Sequence, residues 1–502
     1  MIARVNSFAF AGIEAQPVEI QVQISSGLPN FLMVGLPDKA VGEARERVRA
    51  ALTAMGLALP PRRVLVNLAP ADMLKEGSHF DLPVALGVLA AMDVLPREDL
   101  AQFAALGELS LDGRINPVAG VLPAAIAAAG RGLGLICPAA QGSEAAWAGE
   151  LSVLAAADLL CIINHFRGIQ IMSQPAPGGI SGGATSLDLK DVRGMETARR
   201  ALEIAASGAH NLLMIGPPGG GKSMLAARLP GLLPDLSARE ALEVSMVHSV
   251  AGMLSEGRLV TRPPFRAPHH SASMAALTGG GARARPGEVS LAHRGVLFMD
   301  EMPEFPRATL EALRQPMEAG HTTVSRAAAH ITYPARFQLI GAMNPCRCGY
   351  LGDAARECAR APRCGEDYQN RLSGPLRDRI DMIVEITPLT PQELSWAPQG
   401  EPSLAVAARV ASARACARAR HGDIGAVTNA EAPTDGIHLT AAAKAFLEMA
   451  ATKLRLSARG FTRAMRVGRT IADLAGCEQV EQSHIAEALA YRHKIPGRSK
   501  AG

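Results

Sequence analysis

The sequence predicts an α/β protein whose central unit is a largely parallel sheet, followed by a helical segment. Three observations point there. Short apolar runs, NLLMIG, GVLFMDE, FQLIGAMN and MIVEI, alternate with helical patterns, the order in which buried parallel strands and crossover helices follow one another. The first run leads directly into the glycine-rich turn GPPGGGKS. Beyond WAPQGEPS (396–403) the chain becomes Ala-rich with Arg on the polar side of helical repeats.

Taken in order, residues 1–167 mix strands (PVEIQVQIS, NFLMVG, RRVLVNL) with helices over Asp38 to Met55 and Phe80 to Met92, which predicts an amino-terminal domain with a mixed sheet. Residues 168–190 are rich in Gly, Pro and Ser and read as a linker. Residues 191–395 form the α/β core, with a cysteine-bearing insert at 346–364, and 396–502 a helical lid interrupted by a loop from His421 to Gly436. At 502 residues the chain is long enough for several such units.

Composition excludes several function classes. Hydrophobic residues at 48% and charged residues at 20% are those of a folded globular chain. A net charge of +4 excludes a strongly basic coat, so any nucleic acid must be held by a local patch. Aromatics at 4% argue against base-stacking platforms. The longest uncharged apolar stretch, Ile115 to Gly130, is broken by Asn116, Pro117, Gly120 and Pro123, so no membrane-spanning helix is expected. The first residues lack a continuous apolar core and meet Glu14 early, which argues against a cleaved secretion signal and for a cytoplasmic location. There, clustered cysteines point to metal before disulfides.

Gly216, Pro217, Pro218, Gly219, Gly220, Gly221, Lys222 and Ser223 lie between an apolar strand and the helix MLAARL, which satisfies the G-x-x-x-x-G-K-[ST] pattern in its required context. Glycines let successive backbone N–H groups converge on phosphate oxygens. Lys222 is placed to reach the β and γ phosphates of a nucleotide and Ser223 to ligate Mg²⁺. The strand GVLFM ends in Asp300 and Glu301, which lifts two carboxylates to its carboxyl edge. Asp300 is assigned to the Mg²⁺ shell and Glu301 to orienting and deprotonating a water, so ATP hydrolysis is the expected reaction.

The segments FRAPHHSASMAALTGGGARARPGEVSLAHRGVLFMDEMPEF, MNPCRCGYLGD and RLSGPLRDRID resemble the Mg-chelatase-like AAA+ ATPases of the bacterial YifB/ComM group, and the likeness runs nearly end to end. It implies a ring-forming ATPase, a homohexamer, acting as a helicase that drives branch migration of DNA during integration of transforming DNA. On this resemblance Lys222 with Ser223 and Asp300 with Glu301 are the Walker pairs, Asn344 is sensor 1, Arg379 is the finger given to the neighbouring subunit and Arg459 is the sensor 2 arginine. Arg377 and Arg463 remain alternatives. An arginine supplied in trans stabilises charge on the transferred phosphoryl group, which would make assembly a condition of catalysis.

The resemblance also implies that residues 1–167 adopt the ribosomal S5 domain 2-like fold shared with the Lon peptidase domain. Here His79 stands where a nucleophilic Ser would be and Leu122 where its Lys would be, with only Ser78 and Lys75 nearby, so the domain is expected to be peptidase-inactive. A motor remodelling a protein partner or driving metal insertion, like Mg-chelatase itself, is the alternative function.

Cys346, Cys348, Cys358 and Cys364 follow the sensor with the spacing C-x-C-x9-C-x5-C and suit a tetrahedral Zn²⁺, the alternative being four reduced thiols. Cys137, Cys161, Cys416 and Cys477 are scattered and read as small core residues. His269 and His270 diverge as chain neighbours and so are expected to make contacts and not to share an ion. Gly279, Gly280 and Gly281 with Arg283 and Arg285 form either a phosphate-contacting loop or a plain turn. Thr322 to Pro334 predicts a hairpin of the kind AAA+ helicases insert toward the pore, with Arg326 and His330 near its tip as DNA phosphate contacts.

Overall fold

The computed structural model describes residues 2–180, 187–281, 284–325, 330–351, 359–387, 395–421 and 428–492. Arg283, Arg326 and Cys358 lie outside them. Two large sheets organise the described residues.

The amino-terminal sheet has seven strands: β1 (Ile2–Ala11), β2 (Glu14–Ser25), β3 (Asn30–Val34), β4 (Arg63–Ala69), β5 (Phe103–Ala105), β6 (Gly134–Pro138) and β7 (Val153–Ala156). Their order is β3-β4-β2-β1-β5-β6-β7, antiparallel in the middle and parallel at both ends, which is the mixed sheet expected. The expected helices run over Lys39–Ala54, where Asp38 caps the Val41 amide at 2.7 Å, and Asp81–Ala91, which is buried all round. The linker does not swing clear of the fold. Gly178 donates to the Ser143 carbonyl at 3.1 Å, and a Cβ there would stand 2.1 Å from the Gly257 carbonyl oxygen, so only glycine fits.

The second sheet contains β8 (Leu212–Ile215), β9 (Phe265–Arg266), β10 (Val296–Met299), β13 (Gln338–Met343) and β14 (Met382–Glu385), all parallel, in the order β9-β10-β13-β8-β14. Between β10 and β13 stands a separate antiparallel hairpin of β11 (His321–Ser325) and β12 (His330–Pro334), which pairs Thr323 with Thr332. Side chains alternate along a strand, and Leu212 and Met214 enter one core while Leu213 and Ile215 enter the other. At about 1.5–3 kcal/mol for each fully buried aliphatic side chain, two-sided burial outweighs the weak local preference of a four-residue strand.

Residues after 400 form helices over Ser403–His421, Ala441–Leu454, Ala458–Leu474 and Gln482–Ala490, the last three packed around Leu447, Ala464 and Ile485. The amino-terminal unit is clamped to the second sheet's helices. Buried Glu144 accepts from the Ser249 hydroxyl at 2.6 Å and the Leu122 amide at 3.1 Å, and Trp147 donates to the Gly257 carbonyl at 2.9 Å. Of the four scattered cysteines only Cys137 is fully buried. Cys416 is exposed on its helix, so the expectation of a core residue fails there: it lies off the apolar stripe that Val406, Val410, Ala413 and Ala417 turn inward.

Candidate nucleotide site

The glycine-rich turn leaves the carboxyl end of β8 and enters the helix Lys222–Ala226. Gly219 and Gly221 have φ of 75° and 83°, which a side chain would strain, and a Cβ on Gly216 would stand 2.6 Å from the Ile386 carbonyl oxygen. Lys222 is folded into the turn, donating to the Gly216 and Pro217 carbonyls at 2.7 and 2.8 Å and to the Asn344 side-chain oxygen at 3.1 Å. Burial pushes its ammonium below the ordinary lysine range, opposed by the charges of Asp300 and Glu301.

Strands β10 and β13 bring the remaining groups to the same edge. Asp300 follows β10, and its Oδ2 accepts from the Ser223 hydroxyl at 2.6 Å, so the hydroxyl and carboxylate assigned to Mg²⁺ already meet. That oxygen-only donor pair suits a hard divalent cation. Glu301 comes next, in a left-handed conformation at φ 47° that only an enforced turn gives a residue with a side chain. Asn344 follows β13 by one residue. Thus Lys222, Ser223, Asp300, Glu301 and Asn344 share the carboxyl edge, the side on which parallel α/β sheets bind ligands.

The arginines lie at the other edge. Asn211, just before β8, donates from its side chain to the Arg379 carbonyl at 3.0 Å, which fixes Arg379 at the amino end of the sheet. Four strand residues at about 3.3 Å each separate that end from the glycine-rich turn by roughly 13 Å. Arg379 is 4% exposed, and its guanidinium pairs with Glu318 and donates to the Pro375 carbonyl at 2.8 Å. Arg459, at the start of its helix, reaches the same Glu318 at 3.1 Å, and Arg463 pairs with Asp381 at 2.7 Å. Arg377 ends the short helix Gly374–Arg377 just upstream. Arg463, Arg466, Arg414 and Arg336 line a cleft of about 590 Å³ at this amino edge.

The cysteine cluster packs against the phosphate turn. The sulfur atoms of Cys346, Cys348 and Cys364 lie within 4.8 Å of one another, and those of Cys346 and Cys348 are 3.0 Å apart. Three converging thiols, with Cys358 on the intervening segment, are a donor set a soft or borderline cation accepts. Gly349, at φ 86°, lies against Pro218, where a Cβ would come within 2.5 Å of the proline ring.

The other expectations resolve unevenly. His330 is exposed at the start of β12, with the hairpin tip outside the described residues. Gly280 and Arg285 form a backbone bridge. Ser78 donates to Glu108, and Lys75 is buried with its ammonium on the Pro70 carbonyl, so neither serves the other. His79 is buried and bonded to the Phe8 carbonyl at 2.9 Å. Sequence reading missed Glu318, the carboxylate shared by two arginines, and the pairing of His270 with Glu301, whose Oε2 stands 3.5 Å from the His270 Nδ1. Neither carries a local signal; each is defined by partners distant in the chain.

Comparison with known proteins agrees with this geometry. Family profiles described as magnesium chelatase subunit ChlI, subunit ChlI of Mg-chelatase, and magnesium chelatase subunit ChlI C-terminal match residues 188–394, 20–141 and 400–492. Competence protein ComM of Haemophilus influenzae is 45% identical over 504 residues, covering 98% of each chain. YifB of Escherichia coli is 42% identical over 490 residues, covering 97% of this chain and 96% of its own. The magnesium-chelatase 38 kDa subunit of Cereibacter sphaeroides is 28% identical over 169 residues, 30% of this chain and 51% of its own. No helix among the described residues is long and apolar enough to cross a membrane. With phosphate turn, paired carboxylates and end-to-end similarity in agreement, the chain belongs to the YifB/ComM family of Mg-chelatase-like AAA+ ATPases.

Proposed function

We propose that this chain is an ATP-driven DNA motor that assembles into a homohexameric ring and acts as a branch-migration helicase in recombination of incoming DNA. The observation that carries the reading is the division of the catalytic parts between opposite edges of one sheet. Lys222, Ser223, Asp300, Glu301 and Asn344 occupy the carboxyl edge, Arg379 and Arg459 the amino edge. One chain cannot bring both to one phosphate, but two neighbours in a ring can. Bound MgATP would supply the triphosphate and the cation that neutralises its developing charge. Lys222 would exchange its carbonyl partners for phosphate oxygens, Ser223 and Asp300 would hold the cation, Glu301 would take the proton of the attacking water, and Arg379 with Arg459 of the next protomer would leave Glu318 for the transferred group.

On this reading residues 1–167 are a peptidase-inactive S5 domain 2-like unit, 191–395 the ATPase core, and 396–502 a helical lid, all working in the cytoplasm. Arg326 and His330 contact DNA phosphates, and Cys346, Cys348, Cys358 and Cys364 hold a structural Zn²⁺ beside the phosphate turn. The similarity to a competence protein of Haemophilus influenzae supports the DNA role. The test is the ATPase rate with single-stranded DNA, RNA and no polymer, together with migration of three-way and four-way junctions, using Lys222→Ala and Glu301→Gln as inactive controls. Turnover indifferent to DNA, with junctions left intact, rejects the DNA role. The partial similarity to a magnesium-chelatase subunit favours the second reading, a motor for protein remodelling or metal insertion. Stimulation by a protein partner instead of DNA would select it.

A further inference from the structure

The cysteine cluster and the phosphate turn meet at Gly349. A Cβ there would come within 2.5 Å of Pro218 Cδ and 2.7 Å of its Cγ, so the glycine backbone packs directly on the proline ring. The same residue faces the thiols. Its amide donates to the Cys346 carbonyl at 3.0 Å, and the Gly349 and Leu351 amides both donate to the Cys346 sulfur. Groups that hydrogen-bond a metal ligand fix its direction, so the place of Gly349 is tied to the place of that sulfur. A second arm closes from the other side. Cys364 sits on the helix Arg363–Gln369, whose buried Gln369 donates to the Pro345 carbonyl at 2.9 Å, and a Cβ on Gly365 would stand 2.5 Å from Leu351. Pro345 follows Asn344, whose side-chain oxygen accepts from Lys222 at 3.1 Å. Both arms of the cluster thus end on the phosphate site, one at Pro218 and one at Asn344. Residues 346–351 (CRCGYL) offer a single aliphatic side chain, Leu351, so ligation of the thiols is the main force available to fix them. A turn backed by a fixed loop has less freedom to lose when it closes on phosphate.

We propose that Zn²⁺ at Cys346, Cys348 and Cys364 and nucleotide at the phosphate turn bind cooperatively, coupled through the seating of Gly349 on Pro218. This rests on the assignment of the cysteines as a Zn²⁺ site. Linkage between two sites is reciprocal: the loaded cluster tightens ATP binding, and bound nucleotide tightens zinc binding by the same factor.

The full chain, stripped with a chelator and reloaded with Zn²⁺, tests it through the Kd of a fluorescent, non-hydrolysable ATP analogue measured with Mg²⁺ in both states. Reloading should lower that Kd about tenfold, inside the usual range of coupling between sites. In a separate titration against a chromogenic zinc chelator, the same analogue should tighten zinc binding about tenfold, a readout that needs no turnover. Pro218→Ala removes the ring on which Gly349 sits and keeps every cysteine. Without nucleotide it should hold zinc as wild type does, and its two affinities should be independent within about twofold. Cys348→Ser should ignore added zinc, which places the effect at the thiols and not at the nucleotide's own cation. Equal Kd in stripped and reloaded wild type overturns the proposal. So does a Pro218→Ala variant that keeps the full effect, or a Cys348→Ser variant that answers zinc as the parent does. If the purified chain neither carries zinc nor takes it up, the metal assignment itself falls and the coupling with it. Zinc held at the thiols without effect on nucleotide removes the coupling alone.

Discussion

His79 should make the amino-terminal unit sensitive to mild acid. Its ring is buried between Phe10 and Phe80, with centroids at 5.4 and 4.2 Å, and its Nε2–H donates to the Phe8 carbonyl. Burial holds its pKa down to about 4, against weaker opposing effects of that hydrogen bond and of Asp38, while in the unfolded chain it titrates near 6.5. A histidine that is neutral when folded and protonated when unfolded contributes its full stability above pH 6.5 and loses it as pH falls toward 4. At about 1.4 kcal/mol per pH unit the complete loss is about 3 kcal/mol, and between pH 7 and pH 5 it is about 2 kcal/mol. Denaturant titration at both pH values measures this through Trp147, half-buried in the amino-terminal unit, after Trp396, 87% exposed, is changed to Phe. His79→Gln keeps a donor for Phe8 and cannot titrate, so its loss on acidification should be smaller than that of the parent by about 2 kcal/mol. Equal losses in the two proteins would refute the reasoning. His210, also buried, titrates over the same window in the ATPase core, so the difference between the two proteins is the measured quantity.

Three further outcomes follow from the site. Ser223→Ala and Asp300→Asn should each weaken Mg²⁺ dependence or turnover by about 10–100-fold while leaving the melting temperature nearly unchanged, read from ATPase rates across a Mg²⁺ titration. Arg379→Ala and Lys222→Ala should each be inactive alone, yet equal mixtures should recover about a quarter of the wild-type rate, because in the proposed ring each seam would take its turn from one chain and its arginine from the next. No recovery would place both in the same site. Elemental analysis should find about one zinc per chain, lost in Cys346→Ser and in Cys364→Ser.

Contiguous chemistry was legible in the sequence. Gly216 to Ser223 needs only a strand before it and a helix after it, and Asp300 with Glu301 only an apolar run, because each motif is a single local turn. The 4-residue strands of the second sheet were legible too, since burial on both faces leaves unbroken apolar runs. By contrast β1 escaped notice although it pairs along its whole length with β2, and β5 is three residues long; their partners define them. The exposed Cys416 shows the same limit, because an Ala-rich helix conceals which of its faces is covered.

What the sequence by itself determined is the inventory: a phosphate turn, a carboxylate pair, an amide after a buried strand, a set of arginines and a cluster of thiols. Only the tertiary structure decided their arrangement, since distance between them is set by strand order, register and direction. Parallel pairing put every strand's carboxyl end on one side, gathering Lys222, Asp300 and Asn344 there and leaving Arg379 and Arg459 on Glu318 across the sheet. The same register brought His270 to Glu301. A chain with these residues in another strand order would hold the same groups apart, because no side chain spans the width of a sheet.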